Sequence, residues 1–94
     1  MINQTMLVGR ISKLTKEDDG VASVTIAVPR SFKNEYGEYE TDLIPCSLFK
    51  GVADSVGDYC KVGDLIGAKG RLQINNEILQ FIAEKVTFLQ ASSN

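Results

Sequence analysis

One apolar stretch of the chain carries basic and amide side chains at alternate positions. Lys69, Arg71 and Gln73 recur at period two, so an extended backbone places all three on one face. The apolar residues of the stretch take the other face: Ile66, Ala68, Leu72 and Ile74. Two positive charges beside an amide can bind successive phosphate groups. Alternatively, Lys69 and Arg71 only solvate the outer side of a sheet.

Aromatic rings accompany cations in the polar segments. Phe32 lies in a polar stretch, which is unusual for a core residue, and Phe49 comes directly before a lysine. Rings that stack on bases and cations that contact phosphates are what a sequence-tolerant binder of single strands needs. Phe49 could instead pack under a helix, and Tyr36 and Tyr39 could merely anchor a hairpin. Further cations lie at strand ends or in loops: Arg10, Arg30, Lys33 and Lys50.

The side chains that most catalytic and metal sites require are scarce. Histidine is absent, and the two cysteines, Cys46 and Cys60, do not form a CxxC pair. We therefore expect no enzyme activity, no metal and no cofactor. The start of the chain does not resemble a signal peptide, and no apolar run reaches the length of about 18 residues that a transmembrane helix needs. Two reduced thiols in a cytoplasmic protein are the expectation.

The net charge alone does not favour nucleic-acid binding, but the positions of the charged residues along the chain do. Ten basic and twelve acidic residues give a net charge of −2, whereas a uniformly basic nucleic-acid-binding domain usually has a pI above about 9. The acidic residues, however, concentrate in residues 17–19 and 35–42. We expect the basic residues to form a separate cationic face.

The apolar pattern predicts a small all-β domain. Strands are expected at residues 6–14, 21–28, 41–49, 65–74 and 78–89, with a short helix over 51–62. Pro29 should end the second strand, residues 30–40 should form a mobile hairpin loop, and Pro45 indicates an edge or a bulge. Three strands, one helix and two strands is the order of the OB-fold, a five-stranded Greek-key barrel. The domain spans residues 1–89, followed by a short frayed tail at 90–94.

Several ordered motifs resemble the bacterial and phage single-stranded DNA-binding protein family. The resemblance runs from residue 1 to about residue 89. The segments that carry it are Met1–Asn3 with Leu7–Ile11, Gly20–Ala22 with Thr25–Val28, Asp42–Cys46 with Phe49–Lys50, Val52–Val56 with Tyr59, and Lys61–Leu65 with Lys69–Gln73.

The resemblance implies an OB-fold that binds single-stranded DNA in replication, recombination or repair. It also implies a homo-oligomer, with a tetramer favoured over a dimer, and stacking roles for Phe32 and Phe49. Replication or recombination proteins are possible partners, and a cytoplasmic, nucleoid-associated location is expected. The residues expected to bind nucleic acid are Arg10, Arg30, Phe32, Lys33, Tyr36, Phe49, Lys50, Lys69, Arg71 and Gln73.

The chain departs from that family in three respects. It has no tryptophan, and Leu43 occupies a position that is often aromatic. The loop between the last two strands shrinks to about residues 74–78. No acidic tail follows, which is expected of a short family member or a truncated one. These departures keep a second hypothesis open: an OB-fold protein-interaction module of a primosome or replisome that binds nucleic acid weakly. RNA as an alternative ligand also stays open.

Overall fold

Alternating apolar residues build five strands, which surround one core. The computed structural model describes residues 1–17 and 20–92. Its elements in chain order are β1 (Thr5–Glu17), β2 (Gly20–Lys33), β3 (Tyr39–Leu48), α1 (Lys50–Tyr59), β4 (Leu65–Asn75) and β5 (Ile78–Gln90).

The strands close into a barrel in the order β1-β2-β3-β5-β4, with β4 returning to β1. All neighbouring strands are antiparallel except β3 and β5, which pair in parallel from Cys46 opposite Phe81 to Leu48 opposite Ala83. The helix α1 connects β3 to β4. This arrangement is the expected five-stranded barrel with one helix between the third and fourth strands, so the predicted fold class is confirmed.

Period-two alternation sends one set of side chains from each strand inward. On β2, Val24 and Ile26 are almost fully buried, while Thr25 lies on the other side of the strand. Ala53 and Val56 of α1 join the same core. Burial also raises the pKa of the Cys46 thiol to about 12, so this buried cysteine stays protonated.

Two glycines allow strands to approach more closely than a side chain would permit. A Cβ atom at Gly9 would collide with the carbonyl oxygen of Ala27, and one at Gly70 would collide with the carbonyl oxygen of Ile82. A glycine within a strand often marks such a close approach of another backbone.

Residues 30–40 form an ordered β-arm, not the expected mobile loop. Pro29 does not end β2, which continues to Lys33, because the register shifts between Pro29 and Lys33 and the missing N–H falls at that irregularity. At the tip, Asn34 Oδ1 accepts hydrogen bonds from the backbone N–H groups of Tyr36 and Glu38, at 2.9 and 3.0 Å. We use "arm" for residues 29–42.

The ends of two other elements also differ from expectation. α1 ends at Tyr59, before the expected end at residue 62, and the Tyr59 side chain is 77% exposed. β5 continues to Gln90, and the backbone N–H of Ser92 donates to Asp64 Oδ1 at 2.9 Å. Residues 93–94 of the tail that is expected to fray lie outside the described residues. Within the described residues, no helix has the length and apolar character to span a membrane.

Candidate nucleic-acid interface

The side chains of β2 and β3 that point away from the core form one continuous surface. Residues directly opposite each other on paired strands share a face, and three such pairs are Thr25–Pro45, Ala27–Leu43 and Pro29–Thr41. We call this surface, with the pair Ser23–Ser47 at its end, the outer face. Its side chains are small or aliphatic, and those of Pro29, Thr41, Leu43 and Pro45 are exposed.

Lys13 of β1 borders the outer face, although it is not among the residues expected to bind nucleic acid. Lys13 lies opposite Thr25, and a register shift between Ile11 and Lys13 changes the alternation of β1 at that point. Without the shift, Lys13 would share the inward face of Ile11, which is why a period-two pattern overlooks it. Ile11 and Leu14 are three positions apart. This departure from period two was the signal in the sequence that could have revealed the shift. Lys13 is exposed and has no ion-pair partner among the described residues.

Three aromatic rings are exposed on the arm, at one end of the outer face. They belong to Phe32, Tyr36 and Tyr39, and the Lys33 ammonium lies 5.7 Å from the centre of the Tyr39 ring. That separation permits a cation–π contact. The arm therefore presents rings that are free to stack beside a lysine.

Phe49 is exposed at the opposite end, where β3 meets α1. From Tyr39 to Phe49 the chain runs ten residues, a distance of about 33 Å in extended conformation. Rings therefore lie at both ends of the outer face, with aliphatic side chains between them. Lys50 begins α1, but its side chain lies outside the described part of the structure.

Arg30 is held by two carboxylates of the arm. Its Nε and Nη2 donate to the two Asp42 oxygens at 3.0 Å each, and Nη1 donates to Glu40 Oε2 at 2.6 Å. The hydrogen bond from Arg30 holds the pKa of Asp42 below its usual range, and the same interaction raises the pKa of Arg30. A phosphate must compete with both acids, so the expected separation of cations from acids fails at this position.

Arg10 is also occupied, but by neutral groups. Its guanidinium donates to the carbonyl oxygen of Gly63 at 3.1 Å and to Gln90 Oε1 at 2.9 Å. Its backbone lies opposite Ala27 in the Ala27–Leu43 row. Both acceptors are neutral, and the charge of Arg10 also acts on the nearby Asp64 carboxylate, so Arg10 is only partly available to a phosphate.

Of the three polar residues predicted on β4, Arg71 borders the outer face, and Gln73 is its hydrogen-bond partner. Arg71 lies opposite Ile82, which in turn lies opposite Ser47, so Arg71 borders the outer face beyond β5. Its guanidinium pairs with Glu84 at 2.7 Å and donates to Gln73 Oε1 at 3.2 Å. Exposed pairs of this kind contribute only about 0–1 kcal/mol, so a phosphate can displace the carboxylate.

Lys69 lies further around the barrel, on the surface of β1, β4 and β5. It is opposite Lys85 on one side and Met6 on the other. With Val8 and Leu89, these residues line a shallow apolar hollow of about 390 Å³. Lys69 therefore belongs to a second surface, while Arg71 borders the outer face.

The β4–β5 hairpin extends beyond the closed part of the barrel. Leu72, Ile74 and Leu79, whose positions continue the inward face, are exposed there because no strand covers them. Asn76 and Glu77 form the turn with positive φ values of 52° and 66°. The short loop expected at about residues 74–78 is present, and it closes an apolar hairpin.

Asp64 is a buried carboxylate at the far end of the barrel. It accepts hydrogen bonds from the backbone N–H groups of Lys61 and Ser92, both at 2.9 Å. Burial opposes ionisation of Asp64, but these hydrogen bonds and the charges of Lys61 and Arg10 outweigh it, so the pKa of Asp64 is lowered. In the described part of the chain, no cluster of three or more cysteine or acidic side chains is arranged to hold a metal ion.

Comparison with known proteins gives consistent results. Residues 2–88 match the family described as "Single-strand binding protein family". Single-stranded DNA-binding protein B of Bacillus subtilis is 39% identical over 103 residues, covering 95% of this chain and 91% of that protein. The fold is shared with a mitochondrial single-stranded DNA-binding protein of Saccharomyces cerevisiae, with a TM-score of 0.75, 16% identity and coverage of 98% and 99%. It is also shared with a Plasmodium falciparum protein solved in complex with single-stranded DNA, with a TM-score of 0.69, 18% identity and 96% coverage of both chains.

Proposed function

This chain belongs to the single-strand binding protein family, and we propose that it binds single-stranded DNA along the outer face during replication, recombination or repair. It is a binding protein and not an enzyme. The observation that carries the proposal is the outer face itself, which is exposed, bordered by cations and flanked at both ends by exposed rings. Stacking of bases on such rings contributes about 1–3 kcal/mol per base.

We assign the contacts along the outer face in three groups. Phe32, Tyr36 and Phe49 stack on bases, and Lys13 and Lys33 contact phosphates. Cations at the border add phosphate contacts, and those bound to carboxylates must first release them. This border group comprises Arg10, Arg30 and Arg71 with Gln73, and we include Lys50 from its sequence position. Lys69 contacts DNA only where the strand continues around the barrel.

Fluorescence anisotropy with labelled oligo-dT, titrated against an unlabelled duplex of the same length as competitor, tests the function. We expect tight binding to oligo-dT, little competition by the duplex, and affinity that falls as salt rises. For single strands the logarithm of the binding constant falls by about 0.7 per phosphate contact for each unit of log salt concentration. Equal affinity for duplex, or no dependence on salt, would refute the proposal.

We also propose that the protein forms a homo-oligomer through the first half of β1, with a tetramer favoured over a dimer. Residues Thr5 to Val8 have a paired strand, β4, on one side only, because pairing with β2 begins at Arg10. An open strand edge is a template for another strand. Exposed apolar side chains accompany this edge, namely Met6, Val8 and Leu89.

Light scattering coupled to size-exclusion chromatography tests this assembly. We expect a mass near two or four times the 10.3 kDa of one chain. Val8→Lys should yield monomers, because it places a charge beside the open edge, while Ile74→Lys on the hairpin should leave the mass unchanged. A monomeric mass for the unmodified protein at micromolar concentration would refute the proposed assembly.

We further propose a cytoplasmic, nucleoid-associated location. Cys46 and Cys60 are both free thiols, which is the usual state of cysteines in a reducing compartment.

A further inference from the structure

The middle of the outer face is aliphatic. Leu43 is 63% exposed and lies opposite Ala27, between the rows that contain Pro45 and Pro29. We call Ala27, Pro29, Leu43 and Pro45 the aliphatic platform. Among the described residues, the platform itself contains no aromatic ring and no charged side chain, while the rings of the interface lie at either end of β3.

A strand of DNA that stacks on Phe49 at one end and on Phe32 at the other must cross this platform. Lys13 borders the platform on β1, and Lys33 lies on the arm. These two positive charges favour a polyanion as the ligand, with its apolar groups facing the platform. Bases over the platform contact CH, CH₂ and CH₃ groups instead of aromatic rings. The apolar group that a pyrimidine can offer there is the C5-methyl group of thymine, which proteins recognise by apolar contact.

We propose that the aliphatic platform, with Leu43 at its centre, selects pyrimidines that carry a C5-methyl group, so that the protein prefers thymine to uracil. This inference rests on the proposed binding of single-stranded DNA and adds a chemical selectivity to it. Burying one methyl group contributes about as much as burying one methylene, which corresponds to about a fourfold change in affinity for a fully covered base. The same contact favours DNA over RNA without any contact to the 2′-hydroxyl group.

The test compares labelled oligo-dT with oligo-dU of equal length at one salt concentration. The two ligands share deoxyribose, phosphates and ring, and they differ only in the methyl group. We expect oligo-dT to bind about fourfold more tightly for each base that the platform covers. A second pair, oligo-5-methyl-dC against oligo-dC, should show the same direction, because the selectivity depends on the methyl group and not on the base.

Two variants distinguish the effect of the platform on the affinity ratio from the effect of other exposed aliphatic residues. Leu43→Ala should bring the affinity ratio of dT to dU close to one. Leu79→Ala on the β4–β5 hairpin is the matched control, because Leu79 is also 63% exposed, and it should leave the ratio unchanged. Both residues lie at the surface, so both variants should fold, which circular dichroism verifies.

The possible failures are distinguishable. Equal affinity for oligo-dT and oligo-dU, with both binding tightly, would overturn the platform proposal and leave the proposed function intact. A preference for oligo-dT that survives in Leu43→Ala would also overturn it. Absence of binding to any single strand would overturn the proposed function and the platform proposal together.

Discussion

At the scale of single residues, the role of each cation in binding DNA depends on whether an acidic side chain already neutralises it. Lys13 is exposed, borders the outer face and has no acidic partner among the described residues. We predict that Lys13→Ala lowers the affinity for oligo-dT severalfold and reduces the salt slope by about 0.7, the value for one phosphate contact. Anisotropy titrations at several salt concentrations measure both quantities. Lys61→Ala, in the turn before β4, should change neither, and an unchanged slope in Lys13→Ala would contradict the assignment.

Arg30 represents the opposite case, because Glu40 and Asp42 already neutralise it. Replacing both acids, as Glu40→Gln with Asp42→Asn, should free one cation and remove two negative charges from the arm. We predict tighter binding to oligo-dT and a salt slope that is steeper by about 0.7. Asp54→Asn on α1 removes an acid away from the outer face and serves as the control. A variant that binds no better than the unmodified protein would show that DNA does not contact the arm at Arg30.

At the scale of elements, the arm is pre-organised by one side chain. Asn34 accepts two backbone hydrogen bonds, and its loss should let the arm tip open, so that DNA binding must order it again. We predict that Asn34→Ala accelerates hydrogen exchange at the amides of Tyr36 and Glu38 and weakens oligo-dT binding. Asn34→Asp retains the acceptor oxygens and should preserve the slow exchange. Unchanged exchange in Asn34→Ala would contradict this role.

The other end of the barrel depends on an ionised carboxylate. The pKa of Asp64 is lower in the folded protein than the ordinary value of 3.8, so its stabilisation is complete above that value and is lost as the pH falls through the folded pKa. Asp64→Asn should therefore be less stable than the unmodified protein at pH 7. It should also lose part of the acid sensitivity below about pH 4. Urea unfolding across this range, with the exposed Asp58→Asn as control, measures both effects, and equal stability at pH 7 would contradict them.

The sequence predicted the elements better than their ends. Alternation located a strand at residues 21–28 because a barrel strand has one buried face. It could not anticipate that β2 passes through Pro29, since a shift in register accommodates the missing N–H. Lys13 was overlooked because a bulge reverses the alternation of β1. The ion pairs of Arg30 were also hidden, because they depend on the pairing of β2 with β3 and not on spacing along the chain.

At the scale of the whole molecule, the barrel separates two surfaces. The outer face of β2 and β3 carries the proposed DNA track, and the surface of β1, β4 and β5 carries the open edge with Lys69 and Lys85. A net charge of −2 is compatible with DNA binding because Lys13 and Lys33, beside the outer face, form no salt bridge with the acids of the described residues. The proposed DNA track and the proposed assembly edge therefore use different residues.

Mapping of backbone amide shifts by NMR, on isotope-labelled protein titrated with oligo-dT, tests the central claim most directly. We predict that the largest shifts cluster on the outer face, at Thr25, Ala27 and Leu43, with Lys13 and Phe49 at its borders. Shifts confined to the surface of Met6, Lys69 and Lys85, with the outer face unchanged, would contradict the account.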